Sequence, residues 1–214
     1  MYSTYKSYNP SFSYANINSL SDHLTNIQQF LSSACPLLFF MCETWLTPLQ
    51  NSQSFNINDY FLVRNDRGLI HKHSGKYIRS AGVGLYVHVS CICNVIIVSD
   101  NTNINQVEYL IAAVQLPYPE ISYILVAVVC RQPNRQNQLD RISSSYKHLL
   151  ISGDLNYNLL EETYGSTHLK TVKNNRVLII LPTGASRHTP NMKKFWARRD
   201  LKIGTVNIQT RKVI

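Results

Sequence analysis

The chain is written as short apolar runs broken by Asn, Asp, Ser, Gly and Pro, a rhythm of many brief elements and not of a few long helices. After a polar start, YANIN reads as a strand. Leu20, Leu24, Ile27 and Leu31 then recur at intervals of four, three and four, the spacing of one helical face, which predicts a helix over about 19–33. Ser19 with Asp22 three residues later supplies a start signal, and Cys35-Pro36 supplies the stop. Residues 37–42 are continuously apolar, as in a strand buried on both faces, and deliver Glu43 at their end. Further strands are predicted over 60–64, 82–89, 92–98, 107–116, 122–130 and 149–152, with helices over 138–147 and 165–177. Many strands with helices near both ends indicate an α/β sandwich of two sheets in preference to a doubly wound parallel sheet.

Three of these strands end in groups able to do chemistry: Asn16, Glu43, and the pair Asp154 and Asn156 in LLISGDLNYN. A carboxylate at the margin of a core needs a partner, which a metal ion, an arginine or a helix start can each supply. At the tip of the 149–152 strand, Asp154 can hold a metal or a water and Asn156 can donate to a phosphate oxygen. The competing reading is an Asx-type turn, in which both side chains bond only nearby backbone.

The length of 214 residues suits one sizeable domain, and 44% hydrophobic with 15% charged residues is a globular composition. The apolar runs fall short of the roughly 20 residues that a spanning helix needs. With no apolar signal segment at the N-terminus, the expectation is an intracellular chain without membrane contact. Five cysteines (35, 42, 91, 93 and 130) lie in or beside apolar runs and fit reduced, buried thiols better than disulfides or a zinc site. His71 and His73 belong to a polar, Gly-flanked loop. The net charge of +9 is local: residues 170–214 carry 11 Lys and Arg against one acid, and residues 1–169 carry 10 against 11. The basic character is a property of the tail, which brings non-specific affinity for polyanions.

Taken in order, ANINSL (15–20), CETWL (42–46), AGVGLYV (81–87), VVCRQPN (128–134), ISGDLNYN (151–158) and LPTGASRHTPN (181–191) resemble the endonuclease/exonuclease/phosphatase family, and most closely the apurinic-like endonuclease domain of non-LTR retrotransposons. Each motif is weak singly; their order and spacing make the combination specific. The resemblance implies an α/β, four-layer sandwich of two mixed β-sheets flanked by helices. It implies a Mg²⁺ site, with Mn²⁺ as a substitute ion, no small-molecule cofactor, DNA as partner and, by analogy, action in the nucleus. Glu43 would bind the metal with support from Asn16, Asp154 would orient or activate the attacking water, and Asn156 would contact the scissile phosphate.

Departures accompany the matches. Cys130 stands where the family usually has a tyrosine that assists at the phosphate, and Leu37 follows Pro36 where an aspartate commonly opens the strand. No counterpart of the family's closing aspartate and Asp-His pair follows Asn191. Instead LKIGTVNIQT resembles the opening strand of a second such domain, with Asn207 in the place of Asn16. The expectation is therefore a domain over 1–191, incomplete at its C-terminal end with an exposed sheet edge, and a basic tail over 192–214 whose alternating pattern suits strand addition. On this reading a DNA endonuclease is impaired. The alternatives are an inactive remnant that binds nucleic acid non-specifically, or the same fold acting on a phosphorylated lipid or sugar.

Overall fold

A computed structural model of the chain describes residues 11–71, 73–78, 80–99, 108–118, 123–130, 148–154, 177–180 and 203–207. Strand β1 (Ser11–Asn16) leads into helix α1 (Leu20–Ala34). Ser19 caps the helix, its hydroxyl accepting the Asp22 N–H at 3.3 Å. Cys35 closes it in a left-handed conformation, its own N–H bonded to Leu31 O. The face read from the spacing is the one that packs: Leu20, Ile27 and Leu31 are fully buried, with Leu24 partly so.

The first sheet comprises β1, β2 (Leu38–Cys42), β3 (Tyr60–Asn65), β4 (Val83–His88) and β10 (Ile203–Asn207), in the order β10-β1-β2-β4-β3. The second comprises β5 (Ile92–Val98), β6 (Glu108–Gln115), β7 (Ile124–Cys130), β8 (His148–Asp154) and β9 (Val177–Ile180), in that order. Both are mixed: β1 runs parallel to β2, and β7, β8 and β9 run parallel to one another, while the remaining pairs are antiparallel. Strand β1 starts at Ser11, ahead of the YANIN stretch. Val177, expected to end a helix, opens β9. The helices expected over 138–147 and 165–176 lie outside the described residues.

Period-two alternation divides each strand between two compartments. Leu38, Phe40 and Cys42 of β2 meet Leu110, Ala112, Val126, Val128 and Leu150 of the second sheet, while Phe39 and Met41 lie against the α1 side. This double burial is what makes residues 38–42 continuously apolar. In the second sheet the alternate residues Ile111, Ala127, Val129 and Ile151 are also buried. Strand β5 is outermost in the second sheet, and Ile92, Val95, Ile96 and Val98 are exposed along it. On the other sheet β10, from the basic tail, pairs antiparallel with β1, Ser11 opposite Asn207. The cysteines divide: 42, 91 and 130 are buried and Cys93 half-buried, but Cys35 is exposed, because the left-handed turn that ends α1 carries it out of the apolar run.

Truncating Phe40, buried between the sheets, to alanine is expected to cost about 3–5 kcal/mol in urea unfolding. The same change at Leu49, which is 78% exposed, is expected to stay within about 0.5 kcal/mol.

Candidate active site

Parallel strands that start in register also end together, and that places the candidate residues. Asn16 is opposite Cys42 in the β1–β2 pair, so the residue after Cys42 emerges beside the Asn16 side chain. There Asn16 Nδ2 donates to Glu43 Oε1 at 2.9 Å. Both side chains are half-buried. The amide fixes one carboxylate oxygen without neutralising its charge, which suits an acid that is to receive a cation.

The Glu43 backbone is turned sharply, with φ at 58°, and Trp45 two residues on has φ at 53°. Two sets of main-chain bonds hold this reversal. Ser19 N–H donates to Glu43 O at 2.9 Å and Leu20 N–H to Thr44 O at 2.8 Å, tying the loop to the start of α1. On the other side Thr44 N–H donates to Gly82 O at 3.3 Å and Trp45 N–H to Ala81 O at 2.8 Å.

In the second sheet Glu108, Cys130 and Asp154 lie abreast at the ends of β6, β7 and β8. Strand β8 packs across β1 and β2, and the Cys42 thiol donates to Val129 O at 3.4 Å, joining the sheets beside the rim. Asp154 is placed by its backbone, as the last residue of β8. Asn156 lies outside the described residues. Gly153 explains why a glycine precedes the acid: its φ is +146°, and a Cβ there would lie 1.8 Å from Val129 O. The β8 tip can approach β7 this closely only without a side chain.

Sequence reasoning missed the ion pair behind this rim. Arg67 and Glu108 are almost wholly buried, and Arg67 Nε donates to Glu108 Oε1 at 2.5 Å. Glu108 Oε2 accepts the Gly82 N–H at 2.8 Å, and Arg67 reaches Ser80 Oγ at 3.2 Å. Burial pushes the Glu108 carboxyl up; Arg67 and the Gly82 N–H pull it back down, and the charge of Glu43 pushes it up again. The available signal was an acid opening an otherwise apolar strand, EYLIAAV, where an unpaired charge would be intolerable.

The other candidate ligands are structural. Burial pushes the Cys91 thiol up and the Cys93 thiol up to about 11, which favours the protonated form of both at neutral pH. His71 and His73 sit exposed on the turn closed by Gly75 N–H on His71 O, as the loop reading expects. Among the described residues no three His, Cys, Asp or Glu side chains gather to hold a metal.

No protein-family model matches the chain, and no curated protein matches it. Solved structures do. The catalytic domain of human Nocturnin aligns with a TM-score of 0.51 at 12% identity, over 77% of this chain and 70% of that one. An endonuclease/exonuclease/phosphatase family protein from Bacteroides thetaiotaomicron aligns with a TM-score of 0.51 at 8% identity, over 76% and 67%. The AP endonuclease LMAP from Leishmania major aligns with a TM-score of 0.41 at 15% identity over 62% of this chain, which spans 43% of that protein. The fold is that of the endonuclease/exonuclease/phosphatase proteins: two mixed sheets packed face to face, with α1 on the outer side of the first.

A disulfide reagent at pH 8 is expected to react rapidly with exposed Cys35 and much more slowly with Cys91 and Cys93, since burial pushes both thiols up and Cys93, at about 11, is roughly one part in a thousand thiolate there. The stability that Cys93 contributes through its raised pKa is complete below the ordinary 9.0 and is lost as pH rises through about 11. The urea midpoint should therefore fall across that window, and fall less in Cys93→Ala.

Proposed function

We propose that the chain is a divalent-metal phosphodiesterase that nicks DNA, the endonuclease domain of a non-LTR retrotransposon, with activity reduced by its departures from the family pattern. The observation that carries the reading is the Asn16 amide holding Glu43 Oε1 at 2.9 Å, at the rim where β8 also ends. A magnesium ion suits a site with one protein carboxylate, because it keeps several waters and takes its remaining ligands from substrate phosphate. Glu43, oriented by Asn16, would hold the ion. Bound there, the ion offsets charge growing on the phosphorus.

The remaining roles fall to residues of the second sheet. Asp154, at the tip of β8, accepts a proton from the attacking water. Asn156, two residues on, donates to a non-bridging phosphate oxygen and adds no charge of its own. The basic residues of 170–214 supply affinity for the DNA backbone. The human Nocturnin catalytic domain, of the same fold, carries a bound sulfate, a tetrahedral oxyanion as a phosphodiester is. The retrotransposon assignment rests on CETWL, SGDLNYN and LPTGASRHTPN taken together.

A second reading, a remnant that binds nucleic acid without cleaving it, is favoured by Cys130. This thiol ends β7 directly beside Asp154, and it is a weaker hydrogen-bond donor than a tyrosine hydroxyl. Supercoiled-plasmid nicking separates the two readings. The proposal expects slow, Mg²⁺-dependent nicking that EDTA abolishes and that Glu43→Gln and Asp154→Asn each lower by on the order of 100-fold or more, the scale of losing one charge-stabilising or proton-accepting group. A wild-type chain that nicks no faster than these variants leaves the remnant reading.

A further inference from the structure

We infer that the buried Arg67–Glu108 pair is a positioning device for Glu43, and that it sets the affinity of the rim for a divalent cation. The inference rests on the reading of Glu43 as a metal-holding residue. Its basis is a continuous series of contacts. Arg67 contacts Glu108 through both Nε and its terminal nitrogen, each at 2.5 Å, and so fixes the carboxylate from one side. The other carboxylate oxygen accepts the Gly82 N–H at 2.8 Å. The same Gly82 presents its carbonyl to Thr44 N–H, and its neighbour Ala81 presents its own to Trp45 N–H. The segment thus gripped by Glu108 is the segment that holds the chain on the far side of Glu43.

Space is as tight as the bonding. Gly82 has φ at +82°, and a Cβ there would meet Thr44 Oγ1 at 2.5 Å. Residues 81–82 and 44–45 thus approach too closely for a side chain at 82 and are joined by two main-chain hydrogen bonds. This is the link by which a shift of the first pair is carried to the second and to the reversal at Glu43, whose φ is 58°. Glu108 does not itself offer a free carboxylate to the ion, since one oxygen is engaged by Arg67 and the other by Gly82. It acts through the backbone, one loop removed from the metal.

The experiment measures Mn²⁺ binding to the full chain by titration calorimetry, alongside plasmid nicking and urea unfolding. Arg67→Met and Glu108→Gln change the local charge in opposite directions. A device that works by position predicts weaker Mn²⁺ binding in both, by about tenfold, the lower end of what loss of a ligand's supporting partners costs. A device that works only through charge predicts weaker binding in Glu108→Gln and tighter binding in Arg67→Met, and that result would overturn the inference. If either single variant fails to fold, the charge-neutral double variant Arg67→Met/Glu108→Gln carries the same expectation of about tenfold weaker binding. Arg64→Gln, which breaks the neighbouring Arg64–Asp66 pair of 3.2 Å, is the stability control and should lower the urea midpoint while leaving Mn²⁺ affinity unchanged. Equal losses in the control and the test variants would reduce Arg67–Glu108 to a structural pair. Glu43→Gln separates the two levels: Mn²⁺ binding unaffected by it sinks the metal reading and this inference together. A weak Glu43→Gln beside a wild-type-like Glu108→Gln sinks the positioning role alone.

Discussion

Glu43 occupies its place because the backbone reverses there against its own preference. A non-glycine residue with φ at 58° is held at a cost, of the order of 1 kcal/mol, that neighbouring bonds must offset. Four main-chain hydrogen bonds do so, two from the start of α1 and two to residues 81–82. Releasing either pair would let the chain run on in the direction of β2 and carry the carboxylate away from Asn16. The N-cap of α1, the β1–β2 register and the turn before β4 are thus three conditions on the position of one side chain.

The second half of the rim reaches that side chain only through sheet packing. Asn16 and Glu43 come from the first sheet, whereas Glu108, Cys130 and Asp154 stand abreast on the second. What brings the two sets to one rim is the apolar layer of Phe40, Leu85, Ala112, Val128 and Leu150, with the Cys42–Val129 contact at its margin. The close β7–β8 approach that Gly153 permits belongs to the same arrangement. Stability and site geometry are therefore coupled here: loosening the core would separate the groups that the two sheets bring to this rim.

The legibility of this arrangement in the sequence follows its physics. Helix α1 is legible because burial of one face writes a period of 3.6 into its residues, and β2, β7 and β8 because burial on both faces writes a continuous apolar run between turn residues. Strand β9, four residues of VLII, carries no alternation to separate it from the end of a helix, and so Val177 was misplaced. Cys35 was misread as buried for a related reason: periodicity registers apolar neighbours, not the left-handed turn that lifts a residue out of them. Asn16 and Glu43 were legible as polar ends of apolar runs, and the hydrogen bond between them follows from a parallel register that the sequence does not state. Arg67 and Glu108 lie 41 residues apart, and no local pattern marks two distant charges as a pair.

That pair is also the place where stability alone gives the poorest account. Buried ion pairs seldom stabilise a fold relative to apolar residues of the same volume, because desolvating both charges offsets their attraction. An apolar replacement of Arg67 and Glu108 would fill the space as well, but it would leave the Gly82 N–H without an acceptor. It would also let the 81–82 turn choose among positions, since van der Waals contact lacks the direction of a carboxylate held by a guanidinium on one side and an N–H on the other. What the charged pair adds over an apolar one is thus direction. The pair fixes a turn whose main-chain partners, Thr44 and Trp45, follow directly on Glu43, the residue that is both strained and carries the carboxylate.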